Sequence, residues 1–472
     1  MPIGVDEWVA ESGERREAGT GWRRWLTEAE TRLGWWQRWG LAVAGGVVFG
    51  LLGFNGNIET VAVNSLIYAI LAVGLNIAAG WAGLLDLGYV AFFGFGAYGY
   101  AIFSSDALGT GGVGGVHLPA IATFAIVLAA AAVFGALIGL ATLRVSGDYL
   151  AIVTLFVGEA FMEAVNNVDP STLGGVNGLY NLDPVHGFGG QITSVSGYFY
   201  LALACTAVLV ALMHLLDESR TGRAWRAVRE DELAAEAMTI PTGALKVMAI
   251  TFGAVVGALA GVIFAAQQAS VFPTDFTENI MILIYACLVL GGSGSIAGAV
   301  LGGIVVTAGE QMVSSPTDAG WLFYGLITLG LLVKLRPWRR FAGVIAGTVV
   351  LGIVLRAIVG AISASAVAGH AGSGGLIGSL VGGWVIVPAN AVGYGNALFV
   401  AMIGLVFALM RVRERWRPWL LVPTLYLSAC CWESRLVVNP SITAQILIGA
   451  ILIAMMIARP QGLLGTMRVE VV

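Results

Sequence analysis

Charge is what this sequence has least of. Lys, Arg, Asp and Glu together make up 11% of 472 residues, where a soluble domain carries about a quarter. The apolar residues reach 58% and mean hydropathy is +0.86. A water-soluble globule cannot hide so many apolar stretches of membrane length, so the composition implies a polytopic membrane protein. Cysteine is scarce too: Cys205, Cys287, Cys430 and Cys431 fall in or beside apolar stretches. They lack metal-ligand spacing and read as small core- or lipid-facing side chains. The four histidines, His117, His186, His214 and His370, show no metal-site spacing and read as ordinary polar residues. No phosphate loop of the form GxxxxGK[ST] occurs, and no nucleophile–base or metal constellation points to a membrane enzyme. Roughly the first 35 residues contain no apolar run, so no cleavable signal peptide is expected.

Glycine is abundant, at 66 residues. In a membrane bundle it lets backbones approach closely and permits broken helices, and Gly291, Gly292, Gly294, Gly298, Gly302 and Gly303 have that character. Ordinary small-residue packing accounts for the same cluster equally well.

Hydropathy predicts an all-α, polytopic transmembrane bundle of about fourteen crossings. They fall near 40–56, 58–81, 87–104, 118–143, 148–167, 197–216, 247–268, 278–291, 295–313, 320–334, 341–363, 390–410, 417–432 and 441–458. The Gly-rich stretch 375–388 is apolar but short. Alternating these spans gathers all but two of the 24 Lys and Arg on one side, the exceptions being Arg356 and Arg435. By the positive-inside pattern that side is cytoplasmic, with both termini there. Ahead of the first span, Gly21 to Gly40 interleaves tryptophans with arginines and predicts an interfacial helix.

After the N-terminus, the longest charged stretch is 217–241. Arg223, Arg226 and Arg229 recur at helical spacing; Glu230, Asp231 and Glu232 then open a piece with a small-residue face including Ala234, Ala235 and Ala237, which Ile240 and Pro241 close. Two short helices at the cytoplasmic surface are expected, offering small residues to a partner's groove; a solvated charged loop is the plain alternative.

Polar residues within apolar spans are costly unless paired or wet. The densest set is Asn64, Asn76, Asp86, Asp148, Glu159, Glu163, Asn166 and Asn167, with Glu159 and Glu163 four apart on one helix face. They line a translocation path or serve as interhelical hydrogen-bond glue. Asp148, close to Arg144, reads as structural. Gln267, Gln268, Glu278 and Asn279 flank an external turn and suit a gate or a docking surface. Arg356, deep in a span, is expected to snorkel or pair with an acid.

The charged stretch, read as SRTGRAWRAVREDELAAEAMTIP, resembles the coupling-helix signature of ATP-binding cassette importer permeases, in the LivM-like branch of the branched-chain amino acid permeases. Further stretches match the same branch in order: NSLIYAILAVGLNIAAGWAGLLDLGYVAFFGFGAYGYA, LRVSGDYLAIVTLFVGEAF, LGGVNGLYNL, GGSGSIAGAVLGG and the terminal RPQGLLG. Thr239 departs from the pattern, which has glycine before Ile240. The closing RPQG element occurs twice, weakly at 324–340 and again at 448–465. This implies a cytoplasmic and interfacial segment 1–39, a permease core 40–334 with coupling helices at 217–246, extra transmembrane helices at 335–440 and a terminal helix and tail at 441–472.

The resemblance implies a multi-pass protein of the bacterial inner membrane that has no ATPase site or cofactor of its own; ATP and Mg are bound by two cytoplasmic ATPase subunits. A second related permease, an external substrate-binding protein and membrane lipid complete its implied partners, and no nucleic acid is expected. Arg226, Arg229, Glu230, Asp231, Glu232, Ala235, Glu236, Ile240 and Pro241 would transmit the ATPase motion; Asn64, Asn76, Asp86, Glu159, Glu163 and Asn166 would line the path. The implied cargo is a branched-chain or similar small amino acid. A urea or short-amide importer, or an ion-driven secondary transporter, are the alternatives.

Overall fold

In hydrocarbon each backbone N–H and C=O must be satisfied within its own segment, so long apolar sequences become helices. The computed structural model describes residues 34–52, 56–106, 115–143, 145, 148–168, 173–187, 190–334, 338–389, 391–411, 417–437, 440–458 and 461–464. Its helices are α1 (Trp35–Leu51), α2 (Gly56–Leu75), α3 (Tyr89–Phe103), α4 (Ala120–Thr142), α5 (Asp148–Asn167) and α6 (Val195–Glu218). Two short ones follow, α7 (Arg220–Glu230) and α8 (Glu232–Ala237), then α9 (Thr242–Gln268), α10 (Glu278–Gly291), α11 (Ile296–Ser314) and α12 (Pro316–Lys334). The C-terminal part holds α13 (Trp338–Ile362), α14 (Gly375–Val381), α15 (Ala391–Arg411), α16 (Arg417–Cys431) and α17 (Pro440–Ala458). Helix α2 runs on into a π-helical turn, Asn76–Trp81, and α16 into another, Trp432–Leu436.

Each of the fourteen expected spans lies on a helix. Among the described residues, eight helices are long and apolar enough to cross a membrane, and three apolar helical stretches are shorter. The expected count is therefore not reached by length and apolarity alone: α3, α15 and α17 supply only the shorter apolar stretches Tyr89–Phe103, Tyr394–Leu409 and Ile442–Ile453. The first expected span, 40–56, begins earlier, at Trp35. The rest of the expected interfacial helix, up to residue 33, lies outside the described residues, as do Arg144 and the side chains of Asp148 and Arg435. Helix is not the sole element: two-residue strands pair at the end opposite α7 and α8, Ser104–Ser105 with Val116–His117, Leu179–Tyr180 with Ser270–Val271 and His186–Gly187 with Gly190–Gln191.

Helix α9 is the hub, lying against α3, α4 and α2, while α2 also packs on α11 and α6. Close approach comes from glycine. A Cβ on Gly261 of α9 would stand 2.1 Å from the Phe93 carbonyl oxygen of α3, and one on Gly96 of α3 2.2 Å from that of Ala258. These helices therefore touch backbone to backbone, the packing mode that serves where lipid is as apolar as leucine. Aromatic rings of Phe93, Phe264 and Phe276 fill the space beside the crossing.

Helices α13 and α15 both pack on α16, around a small core with Val385, Tyr426 and Cys430. The terminal helix α17 returns to the main bundle and lies on α11 and α10. The ambiguous stretch 375–388 forms the seven-residue α14 and a turn. Arg356 of α13 neither snorkels nor meets an acid: it donates to the Gly382 carbonyl and, at 2.8 Å, to that of Val385. A half-buried guanidinium thereby satisfies carbonyls that the end of α14 leaves open.

Candidate functional site

Ser219 separates α6 from α7. Its hydroxyl accepts from the Gly222 N–H at 3.2 Å, starting α7 as an N-cap. Trp225, fully buried, then fixes α7 against the bundle, its indole N–H donating to the Leu245 carbonyl of α9 at 2.8 Å. One α7 turn on, the Arg229 guanidinium donates to the Gly80 carbonyl in the π turn of α2. A π turn leaves carbonyls off the regular ladder, which is how a mid-chain carbonyl becomes available to an arginine. The Trp81 ring stacks on Trp225 with centroids 6.2 Å apart.

The same π turn holds the loop between α10 and α11. Gly294 donates its N–H to Asn76 Oδ1 at 2.7 Å, and its carbonyl accepts from the Trp81 indole at 3.2 Å. Gly294 has φ +90, and a Cβ there would stand 3.2 Å from the Arg229 guanidinium. The backbone conformation favours glycine, and a Cβ would also crowd the arginine. The chain end joins from a third direction: Leu463 and Leu464 donate their N–H groups to the Leu290 and Gly291 carbonyls at 2.9 and 3.0 Å, capping α10. Four separated motifs thus meet at one point: residues 76–83, the charged stretch, the 291–295 glycines and the terminal segment.

Helix α8 sits outside this knot. Asp231 caps it, accepting from the Ala234 N–H at 3.0 Å. It ends with Ile240 N–H bonded to the Ala235 carbonyl at 3.1 Å and Thr239 N–H to that of Glu236 at 2.9 Å. This is a Schellman close, whose penultimate residue adopts the left-handed conformation. Thr239 occupies that position with φ 65, which explains the glycine of the family pattern. Ala235 and Ile240 face inward, while Glu230, Asp231, Glu236 and Pro241 are exposed. Leu233 and Met238 are 79% and 76% exposed, an apolar pair on a solvent-facing helix. Arg226 pairs with Asp217 at 3.0 Å and Glu232 with Lys246 at the start of α9.

The expected path residues fall into three groups. Asn76 belongs to the knot. Asp86 is buried next to it: its Oδ1 accepts from the Gly88 N–H at 3.0 Å, starting α3, and its carbonyl accepts from the Tyr285 hydroxyl at 3.0 Å. Asn64 is half-buried in α2, its Oδ1 without a hydrogen-bond partner among the described residues. Glu159, Glu163 and Asn166 lie together on α5, the two carboxylates exposed. Glu159 meets the Glu278 carboxyl of α10, and Glu163 accepts from Asn167 Nδ2 at 2.7 Å. Sequence reasoning passed over Trp81, Trp225 and Gly80. Indole at the end of an apolar run reads as an interfacial anchor, and only the fold reveals the partners.

At the opposite end His117 lies between two acids, its Nδ1 against Asp183 and its Nε2 3.3 Å from Asp106. Hydrogen bonds to Asp183, then to Asp106, raise its pKa; the Gly115 N–H, then His117, lower that of Asp106.

A family model described as branched-chain amino acid transport system, permease component, matches residues 57–335. The LivM permease protein of the high-affinity branched-chain amino acid transport system of Escherichia coli K12 is 33% identical over 302 residues, covering 59% of this chain and 68% of that protein. Its Salmonella typhimurium counterpart is 32% identical over the same shares. The autoinducer 2 import permease LsrC of Yersinia enterocolitica is 28% identical over 203 residues, 41% of this chain and 51% of that protein. No solved structure matches the chain. The matched region contains α2 through α12 with the whole knot apart from its terminal segment, and the chain belongs to the branched-chain amino acid transport permease family.

Proposed function

We propose that the chain is the membrane-spanning permease subunit of an ATP-driven importer for branched-chain or similar small amino acids. Two cytoplasmic ATPases bind ATP and Mg, a second related permease completes the pathway and an external binding protein delivers the cargo. The chain lies in the bacterial inner membrane with α7 and α8 cytoplasmic. The likeness to autoinducer 2 permeases extends over less of the chain, which agrees with specificity residing mainly in the binding protein.

The observation that carries this reading is the continuity from the exposed Leu233 and Met238 to the bundle interior. Helix α8 takes up the movement of a docked ATPase through these side chains. The cap at Asp231 keeps α7 and α8 in fixed relation, and Trp225 and Arg229 join α7 to α9, to the π turn of α2 and thence to Gly294. A shift of α8 is thus imposed on α2, α10 and α11 together. At the other end of the path, Glu159, Glu163 and Asn166 face the second permease and meet the ammonium of the passing zwitterion.

The test is co-purification from mild detergent and ATP-dependent uptake in liposomes. In Leu233→Glu, Met238→Glu the changes are surface ones, so the permease should fold while the apolar anchor is lost, at a cost of about 2 kcal/mol in docking. ATPase subunits should leave the complex and uptake should stop. Uptake by wild type alone, driven by an ion gradient without ATP, would establish the secondary-transporter alternative instead.

A further inference from the structure

The loop Gly292–Ser295 joins α10 to α11, and two of its residues have a backbone that favours glycine: φ is +115 at Gly292 and +90 at Gly294. Such a joint bends easily, and a few residues of this kind can absorb a large change in helix direction. It passes movement from one helix to the next only when it is held from outside. One side is held by the π turn of α2: Asn76 accepts from the Gly294 N–H and the Trp81 indole donates to the Gly294 carbonyl. Ser295 then starts α11, its hydroxyl accepting from the Gly298 N–H at 3.1 Å.

The other side is held by the segment that follows α17. Gly462 sits directly on Gly292: a Cβ there would stand 2.5 Å from the Gly292 Cα, 2.6 Å from its nitrogen and 2.8 Å from the Val289 carbonyl oxygen. Gly462 itself has φ +79. The next two N–H groups, of Leu463 and Leu464, donate to the Leu290 and Gly291 carbonyls, the last two of α10. A helix end leaves these carbonyls without intrahelical donors and carries the negative end of the dipole, so N–H groups are what it lacks. Backbone makes this contact, since the Leu463 and Leu464 side chains are 38% and 47% exposed. Helix α17 delivers the segment by lying on α11 and α10. All of it comes from beyond residue 335, where the family match ends.

We propose that Gly462, Leu463 and Leu464 are positioning residues of the transport cycle. Seated on Gly292, they stiffen the loop, so that a movement of α7 reaches α10 and α11 instead of being absorbed at the two glycines. The inference rests on the transport reading given above and adds to it that hydrolysis and cargo movement separate when the segment is unseated.

The experiment uses the full chain in liposomes with its ATPase subunits, the second permease and the external binding protein, and L-leucine as the probe. Gly462→Val cannot seat on Gly292. Leu464→Pro is the second variant, since it removes one donor; Leu464→Ala, which shortens the side chain but keeps the N–H, is its control. Gly462→Val and Leu464→Pro should retain the ATPase subunits and hydrolyse ATP within about twofold of wild type, yet take up about tenfold less leucine per ATP. Hydrogen exchange of residues 288–298 should quicken about tenfold in both. Leu464→Ala should match wild type in uptake per ATP and in exchange. A fall of uptake and hydrolysis in parallel, together with melting temperature, would make the segment a merely structural cap and overturns the proposal. Unchanged uptake per ATP in Gly462→Val overturns it too and leaves the transport reading standing. Absence of ATP-dependent leucine uptake in wild type removes that reading, and this inference with it.

Discussion

Thr239 carries a left-handed backbone, φ 65, that costs a residue with Cβ roughly 1–2 kcal/mol, more than glycine loses through a freer unfolded chain. Thr239→Gly should therefore stabilise the end of α8 by about 0.5 kcal/mol, read as slower exchange of the Ile240 amide; unchanged or faster exchange counts against it. This position was legible in the sequence, since the pattern has glycine there and the physical reason is the helix close. The His117 clasp makes a second prediction at this scale. A raised His117 contributes stability below the ordinary imidazole range and loses it as pH climbs through the raised value; a lowered Asp106 contributes above the ordinary carboxylate range and loses it as pH falls through the lowered value. Exchange protection of residues 181–187 should peak between those two limits and decline on either side. A profile flat from acid to alkaline pH would refute the clasp. His117 read as ordinary from its spacing because its acids come from positions 106 and 183, one nearby and one distant.

At the scale of elements, hydropathy located the helices because a lipid-facing helix advertises itself in every residue, and the fourteen expected segments coincide with helices. It was blind to how they end and touch. The π turn at Asn76–Trp81 has no signature in GLNIAAGWAG beyond small residues, yet it frees the carbonyl that Arg229 takes. An amide such as Asn76 in an apolar run is equally compatible with wetting and with bonding to a backbone N–H, and only the fold supplies its Gly294 partner. The α3–α9 crossing is testable. Gly261→Val would push its side chain into the backbone of Phe93, which cannot rotate away, costing about 3 kcal/mol or more. Yield and melting temperature in detergent should drop sharply. Gly309→Ala, with open space where the Cβ would go, should stay near wild type; equal tolerance of both would refute backbone-to-backbone packing there.

In the whole molecule, the added helices beyond the family match meet α12 at, among other contacts, a buried carboxylate. Glu433, fully buried in the α16 π turn, accepts from the Tyr324 hydroxyl of α12 at 2.9 Å and from the Ser373 N–H and hydroxyl at 2.8 and 2.7 Å. Trp432 stacks on Phe323 of α12 beside it, centroids 4.1 Å apart. Glu433→Ala leaves three donors unmet and should cost about 3 kcal/mol at this joint. Limited proteolysis should then cut between α13 and α16 more readily, while ATPase retention is unaffected; loss of both together would mean that the added helices are integral to the coupling end. The sequence by itself determined the membrane class, the positions of the helices and the family, because these depend on local composition and on motifs read in order. Only the tertiary structure decided that the second closing helix, α17, lies on α10 and α11, that four distant motifs meet at Gly294, and that Asp86 starts a helix. Those outcomes depend on which backbone groups are left unsatisfied once the helices have packed, and hydrogen-bond partners some 150 to 220 residues apart leave no periodicity to read.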